Sequence, residues 1–219
     1  MRTKNNLMQF QKLGVLILLS ISTLFANAQN FEGSIYFTKS NMMDVTQYVY
    51  HVKGNMVRID EMVEGSDKLV ATLLVDLESG DMYALSHERN LWMKRPSKEG
   101  SAKAESVEVK EGSLKRSIHG KNCSQYRAKN KEANREVMYW VTEGDYAFFP
   151  RLLEILKRKD NFSTYYLNID GIDNKLPVMA EENTLLREKK GFLQVDKIEE
   201  KELASVMFEI PESYEKMER

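Results

Sequence analysis

Val45–Val63 reads VTQYVYHVK-GN-MVRIDEMV. Two β-prone runs, Val45–Lys53 and Met56–Val63, flank Gly54-Asn55. A glycine-bearing pair between such runs signals a tight hairpin, because glycine accepts the backbone conformation the turn needs. Strands joined by tight turns run antiparallel. The same rhythm extends outward. Upstream, Phe31, Gly33, Ile35 and Phe37 alternate with Glu32, Ser34, Tyr36 and Thr38, a strand with one apolar face. Downstream, Glu64–Asp67 turns into Lys68–Asp76, whose apolar middle suits a central strand. Ser79-Gly80-Asp81 turns into Met82–Leu85, and His87–Asn90 leads to Leu91–Met93. Lys94–Ala104, polar and carrying Pro96 and Gly100, reads as a long loop. Strands resume at Ser106–Lys110 and Leu114–Ile118, then at Asn122–Lys129 and Glu136–Val141 across a turn at Asn130–Asn134. Ser163–Ile169, Val178–Leu186 and Phe192–Ile198 follow, and Glu202–Phe208 reads as one helical turn ended by Ile210-Pro211. The expectation is a mainly β (α+β) fold, an antiparallel meander of about ten or eleven strands.

One segment breaks the period. Phe148, Phe149, Leu152, Leu153 and Leu156 recur at helical spacing and share one face. Pro150 suits a first helical turn, and Lys157-Arg158-Lys159 places cations where they oppose the helix dipole. The spacing predicts one amphipathic helix over residues 149–158. Its apolar face has two open readings: it packs on a plain core, or it lids an apolar cavity in a barrel mouth.

The first 28 residues read as an export signal. Arg2, Lys4 and Lys12 precede an uncharged run, Leu13–Phe25, followed by Ala26-Asn27-Ala28. The run is short for a membrane span, which takes about 20 residues. An uncleaved N-terminal anchor is the alternative, and no cysteine stands at the cleavage point to carry a lipid. Residues 29–219 are then expected to form a single domain, periplasmic or secreted. They hold 29 basic and 33 acidic residues, a net charge of −4. That balance argues against a nucleic-acid partner. Cys123 is the one cysteine, so no intramolecular disulfide forms; it is a buried small side chain or a reactive thiol.

The residues offer little chemistry. His51, His87 and His119 are the only histidines, with no spacing that makes a metal site, and His87 falls in a turn where solvation is expected. No Gly-x-Ser-x-Gly elbow and no phosphate-binding glycine loop occurs. The expectation is a non-enzymatic protein with no cofactor and no metal. A hydrolase alternative needs two of Asp60, Glu78, Glu181 and Glu199 to converge.

Four stretches together resemble a known family. They are Lys53–Asp60, Leu74–Leu85, Gly120–Tyr126 and Ser205–Pro211, the last ending in a Phe-x-Ile-Pro signature. Their order is similar to that of an exported bacterial domain-of-unknown-function family, the DUF4412 type, itself distantly like the outer-membrane lipoprotein carrier (LolA-like) fold. That resemblance implies a curved antiparallel half-barrel with the helix across its concave face. Carrier-type members hold acyl chains between sheet and helix. By that likeness Phe148, Phe149, Leu152, Leu153 and Leu156 would line an apolar ligand site, flanked by Trp140 and Tyr146. The resemblance does not place the carrier's gating arginine on this chain; Arg58 is a candidate by neighbourhood alone. Two functions follow: burial of a lipid or other apolar ligand, or a filled-core structural domain that meets a protein partner in the cell envelope.

Overall fold

A computed structural model describes residues 31–63, 65–66 and 68–217. The expected export signal at 1–28 lies outside these residues. Twelve strands form one open sheet among the described residues: β1 (Gly33–Asn41), β2 (Val45–Lys53), β3 (Met56–Met62), β4 (Leu69–Asp76), β5 (Met82–Ser86), β6 (Leu91–Arg95), β7 (Val107–Ile118), β8 (Lys121–Asn130), β9 (Arg135–Glu143), β10 (Lys175–Asn183), β11 (Lys189–Glu200) and β12 (Glu215–Lys216). The sheet order is β12-β6-β5-β4-β3-β2-β1-β11-β10-β9-β8-β7. Every pairing is antiparallel except the two-residue parallel contact of β12 with β6.

The sheet is two meanders sewn together by β1. One wing runs β1 to β6 and the other β7 to β11, and β1 pairs with both β2 and β11. In the Val45–Val63 hairpin Lys53 faces Met56, leaving Gly54-Asn55 as the loop with Gly54 at φ +56°. The two runs expected at 106–110 and 114–118 are one strand, β7, whose pairing with β8 slips between Glu111 and Lys115.

Helix α1 (Phe148–Leu156) stands where the periodicity puts it, one residue earlier at its start. Lys157 closes it in the left-handed conformation, its N–H donating to the Leu153 carbonyl, so the basic trio lies beyond the last turn rather than within it. The strand expected at Ser163–Ile169 is a correction. Asp160 caps a short helix α2 (Asn161–Thr164) by accepting from the Ser163 N–H, and a 3-10 turn follows at Tyr166–Asn168. The aromatic run there looks β-prone, but the cap sets the backbone locally.

Strand alternation splits the sheet into two faces. One carries Ile35, Phe37, Tyr50, Val52, Val57, Ile59 and Val75 into the main core with α1 and α2. Residues 96–106 link β6, next to the edge strand β12, to β7 at the opposite edge of the sheet, and touch both helical segments: Lys157 Nζ donates to the Lys98 carbonyl at 2.7 Å, and Asn168 Nδ2 to the Ala104 carbonyl at 2.9 Å. The other face is covered over β3–β6 by the C-terminal stretch 201–217. This strap contains the expected helical turn, a 3-10 turn at Ser205–Phe208.

Candidate functional site

The helix-covered face holds most of the expected site. Phe148, Phe149, Leu152, Leu153 and Leu156 are all buried in the main core. The Phe149 ring lies 6.2 Å from Phe37, 6.5 Å from Tyr50 and 5.7 Å from Tyr166, and Phe31 stacks at 5.7 Å from Phe148. Such ring pairs add to the free energy of burial itself. Between α1, α2 and the sheet, beside Phe149, Leu153 and Phe162, lies a cavity of about 30 Å³. At the N-terminal end of α1 a groove of about 310 Å³ opens, with the buried Phe31, Val52, Leu77 and Phe148 beneath it and Asn55, Glu78, Asp145 and Arg151 among the residues of its rim.

Tyr146 joins this layer, 5.6 Å from Phe31, and burial raises its hydroxyl above the ordinary tyrosine range. Trp140 does not. Its neighbour Tyr139 donates to the Asn161 and Phe162 carbonyls at 3.1 Å, which fixes the side of β9 that faces the helices. Alternation turns Trp140 the other way, where the Arg116 guanidinium stacks 4.8 Å from its ring centre. Arg58 also faces away from α1, since its neighbours Val57 and Ile59 supply the core. Its guanidinium reaches the Met207 carbonyl of the strap at 3.0 Å.

That second face holds a polar chain centred on Asp60. Arg58 Nε donates to both carboxylate oxygens at 2.9 Å, and the Thr72 hydroxyl donates to one of them. His87 Nε2 lies 2.7 Å from Thr72 Oγ1, and the Tyr214 hydroxyl of the strap lies 2.6 Å from His87 Nδ1. On the other branch His51 Nε2 lies 3.4 Å from Asp60, and Ser34 Oγ lies 2.8 Å from His51 Nδ1. One assignment satisfies every member: Ser34 and Tyr214 donate to the histidines, which donate to Asp60 and Thr72. Burial raises the Asp60 carboxyl, but the hydrogen bonds from His51, Thr72 and Arg58 outweigh it and hold the group below its ordinary value. Ser34 has no exposed surface, so this serine–histidine–aspartate line offers no hydroxyl to a substrate.

His87 is thus half-buried and hydrogen-bonded at both nitrogens rather than solvated. The polar chain has no compact sequence pattern because its members lie on β1, β2, β3, β4, the β5–β6 turn and the C-terminal strap. The available signal was parity, and only in part: Ser34, His51 and Asp60 fall on strand positions opposite the apolar ones, whereas Thr72 shares its side of β4 with the buried Leu74.

The four carboxylates of the hydrolase alternative have separate surroundings. Asp60 sits in the chain above, Glu78 accepts from Asn55 Nδ2 at 3.1 Å, and Glu181 lies on β10. Glu199 is held by Lys197, Lys201 and Tyr36, which bring it down to about 2. Cys123 is buried, and desolvation pushes its thiol up. Among the described residues no group of three potential ligands is placed to hold a metal ion, and no helix is long and apolar enough to cross a membrane.

Fold and site define a mainly β domain built on one open, predominantly antiparallel sheet, with a helix-covered apolar face and a second face where the strap covers Leu74, Leu85 and the polar chain. The family model for "Domain of unknown function (DUF4412)" matches residues 31–214, and the chain belongs to that family. No curated protein matches it. Among solved structures, an uncharacterized conserved protein from Thermus thermophilus is similar at TM-score 0.55 and 7% identity, over 88% of this chain and 93% of that one. That likeness concerns the fold alone. A DUF1329 family protein from Desulfovibrio piger aligns at TM-score 0.34 and 11% identity, covering 83% and 91% of the two chains. PNGF-II aligns at 0.43 and 10%, over 85% of this chain and 30% of that one.

Proposed function

We propose that this chain is an exported, non-enzymatic binding protein that buries an apolar group at the N-terminal end of α1. The observation that carries this is the groove above Phe31, Val52, Leu77 and Phe148. Its volume of about 310 Å³ lies at the small end of ligand pockets, and an apolar floor lies beneath a polar, charged rim that can fix a ligand's orientation. Phe148 is the site residue that meets the ligand directly. Phe149, Leu152, Leu153 and Leu156 hold the helix on the sheet, and a longer chain reaches them when α1 lifts. Binding of this kind is reversible burial and forms no covalent bond.

A second reading has its own support. The space between α1, α2 and the sheet, about 30 Å³, is far below a ligand pocket's, which suits a filled core and a domain that works through its surface. Native mass spectrometry with lipid extraction, on protein purified from its own envelope, separates the two. Bound acyl-chain mass, or uptake of added fatty acid, is expected. Ala147→Trp, at an exposed position on the groove wall, should abolish it with the melting temperature unchanged. A clean mass that also refuses added fatty acid overturns the binding reading and leaves the interaction domain.

A further inference from the structure

The remaining surface carries one feature the proposed function does not use. Met42, Met43 and Leu186 are 71%, 89% and 83% exposed, and Val63 and Leu185 also face solvent. Large apolar side chains scattered singly on a surface are ordinary. These are gathered at one end of the sheet. Met42 and Met43 form the β1–β2 turn, and Leu185 and Leu186 the β10–β11 turn. Asn41 pairs with Gly191, so the two turns stand side by side. The Leu185 N–H donates to Asn134 in the β8–β9 turn at 3.2 Å, and Val63 follows β3 at the same end of the sheet, where Met62 pairs with Gln47.

The charge beside this tip is divided: Asp44 follows Met43, and Glu64 and Asp67 with Lys68 follow Val63, while the cations gather in the β10–β11 turn. Arg187-Glu188-Lys189-Lys190 carries three cations to one anion, on a chain whose formal net charge is −1. Lys190 Nζ lies 3.9 Å from Met42 Sδ, so an ammonium stands against the exposed thioether, and Glu188 partly offsets it at 3.4 Å. Flexible apolar side chains at loop tips with cations behind them match a bilayer surface: the apolar groups enter the acyl boundary and the cations meet anionic headgroups. We propose that this end of the sheet docks on an anionic lipid surface, with Met42, Met43 and Leu186 inserting and Arg187, Lys189 and Lys190 on the headgroups. The proposal is independent of the α1 groove, which lies on another part of the molecule. Docking would keep the domain at a membrane with both covered faces clear of it.

The test uses protein purified from its own envelope and vesicles of phosphatidylglycerol with phosphatidylcholine, or of phosphatidylcholine alone. Co-sedimentation with the anionic vesicles is expected, weakening as salt rises. Met43→Asp with Leu186→Asp should cut partitioning about tenfold or more. Both side chains project into solvent, so the melting temperature should hold. A Leu186→Trp variant should shift its emission to the blue on anionic vesicles, which reports insertion at this tip and not elsewhere on the chain. Absence of that shift, or partitioning unmoved by the double substitution, overturns the proposal. So does a stable dimer that the double substitution converts to monomer, which would assign the tip to a second copy.

Discussion

At the residue scale, Asp60 carries the heaviest burden. It is a nearly buried carboxylate that accepts from Arg58 and Thr72 and faces His51. Removing one partner of such a pair leaves the other charge without compensation, whereas replacing both removes the desolvation cost as well. Asp60→Asn should therefore lower stability by about 3 kcal/mol, while Arg58→Met with Asp60→Leu should cost less than the single change. Chemical denaturation of the three proteins reads the difference, and an equal or larger loss in the double variant would refute the account. The same chain sets a pH dependence. Burial, with the Arg58 charge nearby, holds His87 below the ordinary histidine value, so the folded state favours its neutral form. A depressed value contributes stability that is complete above the unfolded value and is lost as pH falls through the folded one. The melting temperature should thus begin to fall below about pH 6.5, the ordinary histidine value. Asp60, also depressed, adds a second loss below the ordinary aspartate range. His87→Phe should remove the first step and leave the second.

At the scale of elements, local chemistry decided what could be read. The turns and α1 were legible because each rests on neighbouring residues: Gly54 in its hairpin, and the apolar spacing from Phe148 to Leu156. Residues 161–168 were not, since Phe162, Tyr165, Tyr166 and Leu167 suit a strand by composition and only the Asp160 cap turns them into α2. That cap makes a testable case. Asp160 accepts from the Ser163 N–H and pairs with Lys39 Nζ at 3.1 Å, so it ties α2 to β1 as well as starting the helix. Asp160→Ala should cost about 1 kcal/mol from the cap, with the half-buried ion pair adding at most about as much again. Asp160→Asn should recover most of the cap's share, because an amide caps nearly as well. Failure of the asparagine to recover stability would move the weight from the cap to the ion pair. The polar chain under the strap was illegible for the opposite reason. Its members meet only after β1–β4 align and residues 201–217 fold back, which no local pattern announces.

At the scale of the whole molecule, the decisive contact is the seam between β1 and β11. It joins residues 33–41 to 191–200, so the two meanders become one sheet only when distant parts of the chain meet. Sequence shows that β1 is a strand with one apolar face, but not which second neighbour it takes. The backbone marks the seam with glycine at both ends. Gly33 has φ +151°, and a side chain there would overlap the Glu199 carbonyl oxygen; one at Gly191 would overlap the Ser40 carbonyl oxygen. In both places the obstacle is backbone of the partner strand, which yields only by opening the pairing. Gly33→Ala and Gly191→Ala should each destabilise the protein by about 2 kcal/mol or more. Gly54→Ala is the control: it also sits at positive φ, but nothing lies within 4 Å of the added carbon, so its loss should be about 1 kcal/mol. Denaturant melts of the three variants compare them directly. The seam also predicts how they fail. The β1 residues Ile35 and Phe37 and the β11 residue Val195 belong to the same buried core as α1 and the residues of β9 and β10. A weakened seam should therefore lower the single transition for the whole sheet rather than release one meander. Two separate transitions in Gly33→Ala would show that the wings fold independently and that the seam only brings them together.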